Sequence, residues 1–128
     1  MRLAHLAAIP AVALTLLGSA SAAQPVRVPS YCSKSGDVCY WIVEARADYN
    51  LRLTLAAKYF SRYRICVKPR RRATTCKSFP VKRTGAQWGG KVSWQRNFPD
   101  APGRYRVTWS QGTKRLGPPL NFRLSILA

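Results

Sequence analysis

The strictest constraint on this chain is the period of its last third. From Gly103 to Ile126, Tyr105, Val107 and Trp109 alternate with Arg104, Arg106, Thr108 and Ser110. After a Gln111-Gly112 turn signal and a Gly117-Pro118-Pro119 break, Leu120, Phe122, Leu124 and Ile126 alternate with Asn121, Arg123 and Ser125. Successive side chains of a strand point to opposite faces, so this alternation marks strands with one face buried. The buried face is aromatic and aliphatic, and the outer face is largely arginine.

The same rhythm runs back along the chain. Ala23 to Ser30, with Pro25 and Pro29, reads as an edge strand or extended arm, because proline is confined to sheet edges. Val38 to Ala45 carries apolar residues on both sides and reads as a central strand. Asp48-Tyr49-Asn50 reads as a turn, and Leu51, Leu53 and Leu55 as a half-buried strand that runs on into Ala56 to Phe60, a loop by the period-two leucines, with a short helix as the alternative. Arg62 to Lys68 points Tyr63, Ile65 and Val67 one way and Arg62, Arg64, Cys66 and Lys68 the other. Pro69 to Ala73 is a turn and Thr74 to Phe79 returns. Gly85 to Gly90 reads as a glycine-rich loop holding Trp88, Lys91 to Phe98 as a strand with Val92 and Trp94 inward, and Pro99 to Gly103 as a turn. Seven to nine short strands at near-regular spacing, with no long helical pattern, predict an all-β fold: an antiparallel β-sandwich or small barrel.

The first 22 residues are set apart. Arg2 precedes an apolar run from Leu3 to Leu17, and Ala20-Ser21-Ala22 is a small-x-small cleavage signal, the pattern of a secretory signal peptide. Removing 22 residues from 128 leaves a single domain of 106, residues 23–128, with no histidine and a formal charge lowered from +18 to +17. The expected location is extracellular or periplasmic. The arginine-rich, alanine-rich composition fits a GC-rich bacterial genome, which explains arginine in place of lysine but not a total of four acids.

Asp100-Ala101-Pro102-Gly103-Arg104-Tyr105-Arg106-Val107 resembles the tyrosine corner of immunoglobulin-like domains. There an acidic residue and a small one precede a tyrosine at the start of the second-to-last strand, and the tyrosine hydroxyl bonds back to the preceding backbone. The cysteine that follows two residues after that tyrosine in immunoglobulin domains is Val107 here. The resemblance implies an immunoglobulin-like sandwich and no particular function.

Cys32 and Cys39 flank the Ser33–Val38 turn, and Cys66 and Cys76 flank the Pro69–Ala73 turn. Four cysteines in an exported chain imply two disulfides, and the hairpin spacing selects Cys32–Cys39 and Cys66–Cys76. Zinc sites favour shorter cysteine pairs, so no metal is expected, and no motif implies another cofactor.

The absence of histidine from the mature chain removes the commonest general base. Of the acids, Asp37, Asp48 and Asp100 sit in turn sequences and Glu44 ends a strand, so no catalytic residue is assigned. The charge points elsewhere. Lys68, Arg70, Arg71 and Arg72 crowd one hairpin tip, and Arg104, Arg106 and Arg123 point outward from two strands that are neighbours if they form a hairpin. Arg62 and Arg64 extend that patch if their strand joins the same sheet. Cations so crowded repel one another, and an anionic partner relieves the repulsion and releases its own counterions. A solvated face that discourages edge aggregation is the rival account. Trp88 either caps the core or offers a stacking platform to a sugar or base. The expectation is a monomeric, non-catalytic binding module for an anionic polymer or surface: an envelope polymer, an acidic polysaccharide, nucleic acid or membrane. The alternative is a secreted protein-interaction module or inhibitor with an acidic protein partner.

Overall fold

The computed structural model describes residues 26–125. The signal-peptide reading of residues 1–22 and the inward reading of Ile126 lie outside the described residues. In chain order the elements are β1 (Val26–Cys32), β2 (Val38–Ala45), β3 (Asp48–Leu55), β4 (Arg62–Pro69), β5 (Thr75–Pro80), β6 (Lys82–Thr84) and β7 (Gln87–Ser93). A one-turn helix α1 (Trp94–Asn97) follows, then β8 (Gly103–Gln111), β9 (Lys114–Arg115) and β10 (Leu120–Leu124).

The alternating sequences close into two antiparallel sheets around one core. The first has the order β1-β2-β3-β7-β6, and the second β10-β8-β4-β5 with the two-residue β9 paired to β8. In β4, Tyr63, Ile65 and Val67 are buried and Arg62, Arg64 and Lys68 exposed; in β10, Leu120, Phe122 and Leu124 are buried and Asn121 and Arg123 exposed. This is the period-two pattern turned into an inside and an outside. Aromatic rings fill the interior. Trp109 stacks on Tyr40 with centroids 4.4 Å apart, and Trp94 meets Tyr105 edge-on at 5.0 Å. The central place of β2 follows from its two apolar faces, and β1, with its proline, takes the edge.

Three local expectations are corrected. Asp48–Asn50 is not a turn but the start of β3. The turn is the two residues Arg46-Ala47, closed by the Ala45–Asp48 pair, with Arg46 in the left-handed region at φ 57°. Asp48 is spent on caps instead: its carboxylate accepts from the Tyr49 amide at 2.7 Å, the Ser93 hydroxyl at 2.6 Å and the Gln95 amide at 3.2 Å. Second, the strand expected over Lys91–Phe98 ends at Ser93. Asn50–Ser93 is the last pair β3 offers β7. Ser93 then caps α1, its hydroxyl accepting from the Arg96 amide at 3.3 Å, and Trp94 drops into the core.

Third, Gly85–Gly90 is not a loop throughout. Gly85-Ala86 makes the turn between Thr84 and Gln87, and Trp88, Gly89 and Gly90 belong to β7. The glycines are there for close approach. A Cβ on Gly89 would collide with the Leu53 carbonyl, and one on Gly90 with the Tyr63 hydroxyl. Among the described residues there are ten strands against the expected seven to nine, the additions being the short β6 and β9.

Both disulfides join the expected cysteines. Cys32 and Cys39 are direct partners across β1 and β2, as are Cys66 and Cys76 across β4 and β5, with Cα separations of 4.1 and 4.0 Å. Each closes a short hairpin and so contributes about 2–3 kcal/mol through the unfolded chain. Two disulfides suit an oxidising location.

Candidate cationic groove on the second sheet

The charge is divided between the sheets. The strands of the second sheet hold Arg62, Arg64, Lys68, Lys77, Arg104, Arg106, Lys114, Arg115 and Arg123 and no acid. Those of the first hold Arg27, Arg52, Lys82, Arg83 and Lys91 against Glu44 and Asp48. The connection from β4 to β5 adds Arg70, Arg71 and Arg72 to the cationic side.

Strand register then decides which cations meet. Arg104 on β8 lies directly opposite Arg123 on β10. Two residues further along, Arg106 lies between Asn121 on β10 and Lys68 on β4. All four cations are exposed on the outer face. Side chains directly opposite in an antiparallel pair have Cβ atoms about 4.5–5.5 Å apart, and like charges so placed destabilise the sheet. Two such pairs stand side by side. Arg64, opposite Ser78 and Ser110, continues the cationic face two rows beyond.

The surface there is concave. A cavity of about 720 Å³ is lined by Lys68, Arg70, Arg104, Arg106, Asn121 and Arg123 among others. A second, of about 340 Å³, lies between the Arg70–Arg72 tip and the Pro99–Gly103 segment. Both are bordered by Arg70 and Arg104, so they adjoin, the first on the sheet face and the second over its end. Lys68 reaches the tip, its Nζ donating to the Arg72 carbonyl at 3.3 Å.

Tyr105 fixes the far wall. Its hydroxyl donates to the Ala101 carbonyl at 2.7 Å and reaches the Pro99 carbonyl at 3.3 Å, tying the turn before β8 to the strand itself. Burial pushes its pKa up. The Trp94 indole donates to the same Pro99 carbonyl at 2.8 Å. The groove therefore rests on buried aromatic anchors, while its cations come from alternate positions of three neighbouring strands and one hairpin tip.

The two patches expected separately, Lys68–Arg72 and Arg104/Arg106/Arg123, are contiguous. The Lys68–Arg106 pairing joins them. The parity of Lys68 and Arg106 was readable in the sequence, but their adjacency needed the order β10-β8-β4. Trp88 is elsewhere. It is half-buried against the core at the opposite end of the sandwich, with Lys58 Nζ 5.5 Å and Arg83 Cζ 5.7 Å from its ring. A third like-charged pair, Arg52 opposite Lys91, lies on the first sheet, and there Arg52 is placed over the Trp41 ring at 5.5 Å.

Among the described residues no group of three His, Cys, Asp or Glu side chains is placed to hold a metal ion. Comparison with protein-family models, curated proteins and solved structures finds no match to this chain.

Proposed function

We propose that this chain is a secreted, non-catalytic binding module whose cationic groove takes an anionic polymer or surface. The observation that carries this reading is the adjacency of two like-charged cross-strand pairs, Arg104–Arg123 and Arg106–Lys68, on a sheet whose strands hold no acid. A fold gains nothing from such pairs. An anion seated between them replaces repulsion with charge-assisted, forked hydrogen bonds, for which arginine is suited. Adjoining cavities on the sheet face and over its end suit a flexible chain or headgroup better than a straight duplex. The domain is read as an immunoglobulin-like variant: β10-β8-β4-β5 follows the order of the G, F and C strands with one strand added, and β2-β3-β7-β6 follows A, B, E and D with β1 added at the edge.

The test is a titration of the oxidised protein against polyphosphate, an acidic polysaccharide, single-stranded DNA and anionic vesicles over a range of salt. With all seven cations engaged, a single strand gives a log–log salt slope near about −5, and replacing Arg104 and Arg123 by alanine reduces its magnitude by about 1.4. Loss of all binding near physiological salt, or an unchanged slope in that double variant, rejects the reading. Capture of one stoichiometric acidic protein instead of any polymer favours the interaction-module alternative.

A further inference from the structure

We propose that the Arg70–Thr74 tip is a cleavage site for an arginine-specific endoprotease, and that the cut protein stays in one piece through Cys66–Cys76. Proteases take their substrates as exposed segments free of the sheet ladder. Arg70, Arg71, Arg72, Ala73 and Thr74 are all exposed and belong to no strand, β4 ending at Pro69 and β5 beginning at Thr75. Val67–Thr75 is the last pair that joins the two strands. Five consecutive residues are thus available to an active-site cleft, three of them arginines suited to an acidic specificity pocket.

The other arginines are held differently. Arg27, Arg52, Arg62, Arg64, Arg83, Arg104, Arg106, Arg115 and Arg123 lie in paired strands, Arg96 lies in α1, and Arg46 occupies a two-residue turn at φ 57°. Reaching any of them requires opening of regular structure or of a tight turn. Pro69 blocks the preceding Lys68–Pro69 bond, since a proline nitrogen on the leaving side is a poor fit for cleavage. The reactive bonds are therefore those after Arg70, Arg71 and Arg72.

Hydrolysis after Arg72 breaks the carbonyl carbon–nitrogen bond to Ala73, forms a carbon–oxygen bond with water, and leaves a carboxylate on Arg72 and an ammonium on Ala73. The Arg72 carbonyl oxygen already accepts from Lys68 Nζ at 3.3 Å, so the new carboxylate forms beside a cation. The cut removes no strand pairing. β4 remains paired to β8 from Arg64 to Pro69, and the disulfide lies on the core-ward side of the tip. The inference needs no anionic partner and stands independently of the binding reading.

The experiment treats the folded, oxidised protein with catalytic amounts of an arginine-specific endoprotease. The expected product has the mass of one added water, runs as one band on a denaturing gel without reductant, and separates into two with it. Its new amino terminus is Arg71, Arg72 or Ala73. A triple Arg70→Gln, Arg71→Gln, Arg72→Gln variant should keep or exceed the parent's thermal midpoint, while its first cut slows by about a hundredfold or more, because the remaining arginines are reached only by opening the fold. A first cut at Arg46, Arg96 or within a strand overturns the proposal, as does equal resistance of parent and variant.

Discussion

Replacing Arg123 by threonine should raise the stability of this protein while weakening its hold on polyanions. Arg123 is exposed on the edge strand β10, directly opposite Arg104. Its inward neighbours Phe122 and Leu124 are undisturbed by the change. Two guanidinium groups about 8 Å apart in water-like surroundings repel by about 0.5 kcal/mol, within the 0.2–1 kcal/mol range of cross-strand pair terms. Threonine also fits a half-exposed strand well. The expected gain of about 0.5 kcal/mol corresponds to about 2–4 °C in Tm for a domain of this size. Arg123→Glu puts an opposite charge beside Arg104 and should gain more. Thermal and denaturant unfolding at low salt and at about 1 M salt separate charge from packing, because the Debye length falls to about 3 Å at 1 M. The charge-dependent gain should vanish there. If both variants lose stability at low salt, or gain equally at both salts, the like-charged pair costs the fold nothing, and the argument for a built anion site goes with it.

Two further outcomes follow from the core. Burial, with the neighbouring Tyr31 in the case of Tyr40, raises the pKa of Tyr40 and of Tyr63 from 10.0 to about 12; the folded state then holds their protons longer than the unfolded chain, so stability is full below pH 10 and lost as pH rises toward 12, at about 1.4 kcal/mol per pH unit for the more deeply buried Tyr63, and Tyr63→Phe should remove that contribution from alkaline denaturation curves. Gly89→Ala, which drives a Cβ into the Leu53 carbonyl, should cost at least about 3 kcal/mol by separating β3 from β7; urea unfolding measures it, and a loss below about 1 kcal/mol would mean the strands shift apart at little cost.

Much of this fold could be read because burial writes itself into period two. Tyr63, Ile65 and Val67 on β4 and Leu120, Phe122 and Leu124 on β10 declare their strands without help. The cysteine pairing was equally legible, since each pair brackets one turn. The errors came where a residue's local preference was overruled by a distant partner. Asp48 suggests a turn, but its carboxylate is engaged by Ser93 and Gln95, more than forty positions away. Gly89 and Gly90 suggest a loop, but they make room for Leu53 and Tyr63. Trp94 continues the alternation of β7 yet leaves it, because Ser93 caps a helical turn there and Asp48 takes the Ser93 hydroxyl and the Gln95 amide. Lys68, Arg104, Arg106 and Arg123 were visible as outward-facing, and Arg70, Arg71 and Arg72 as a hairpin tip. That they form one patch depended on sheet order, which side-chain alternation does not encode.

The unequal sharing of acids between the two sheets makes the molecule an electric dipole whose axis crosses the sandwich. Near a negatively charged boundary such a body feels a torque as well as an attraction. It turns its β4, β8 and β10 face inward before contact, within roughly a Debye length of the boundary. Encounter is then oriented rather than random, and the first sheet, whose strands carry Glu44 and Asp48, is left on the side away from the boundary.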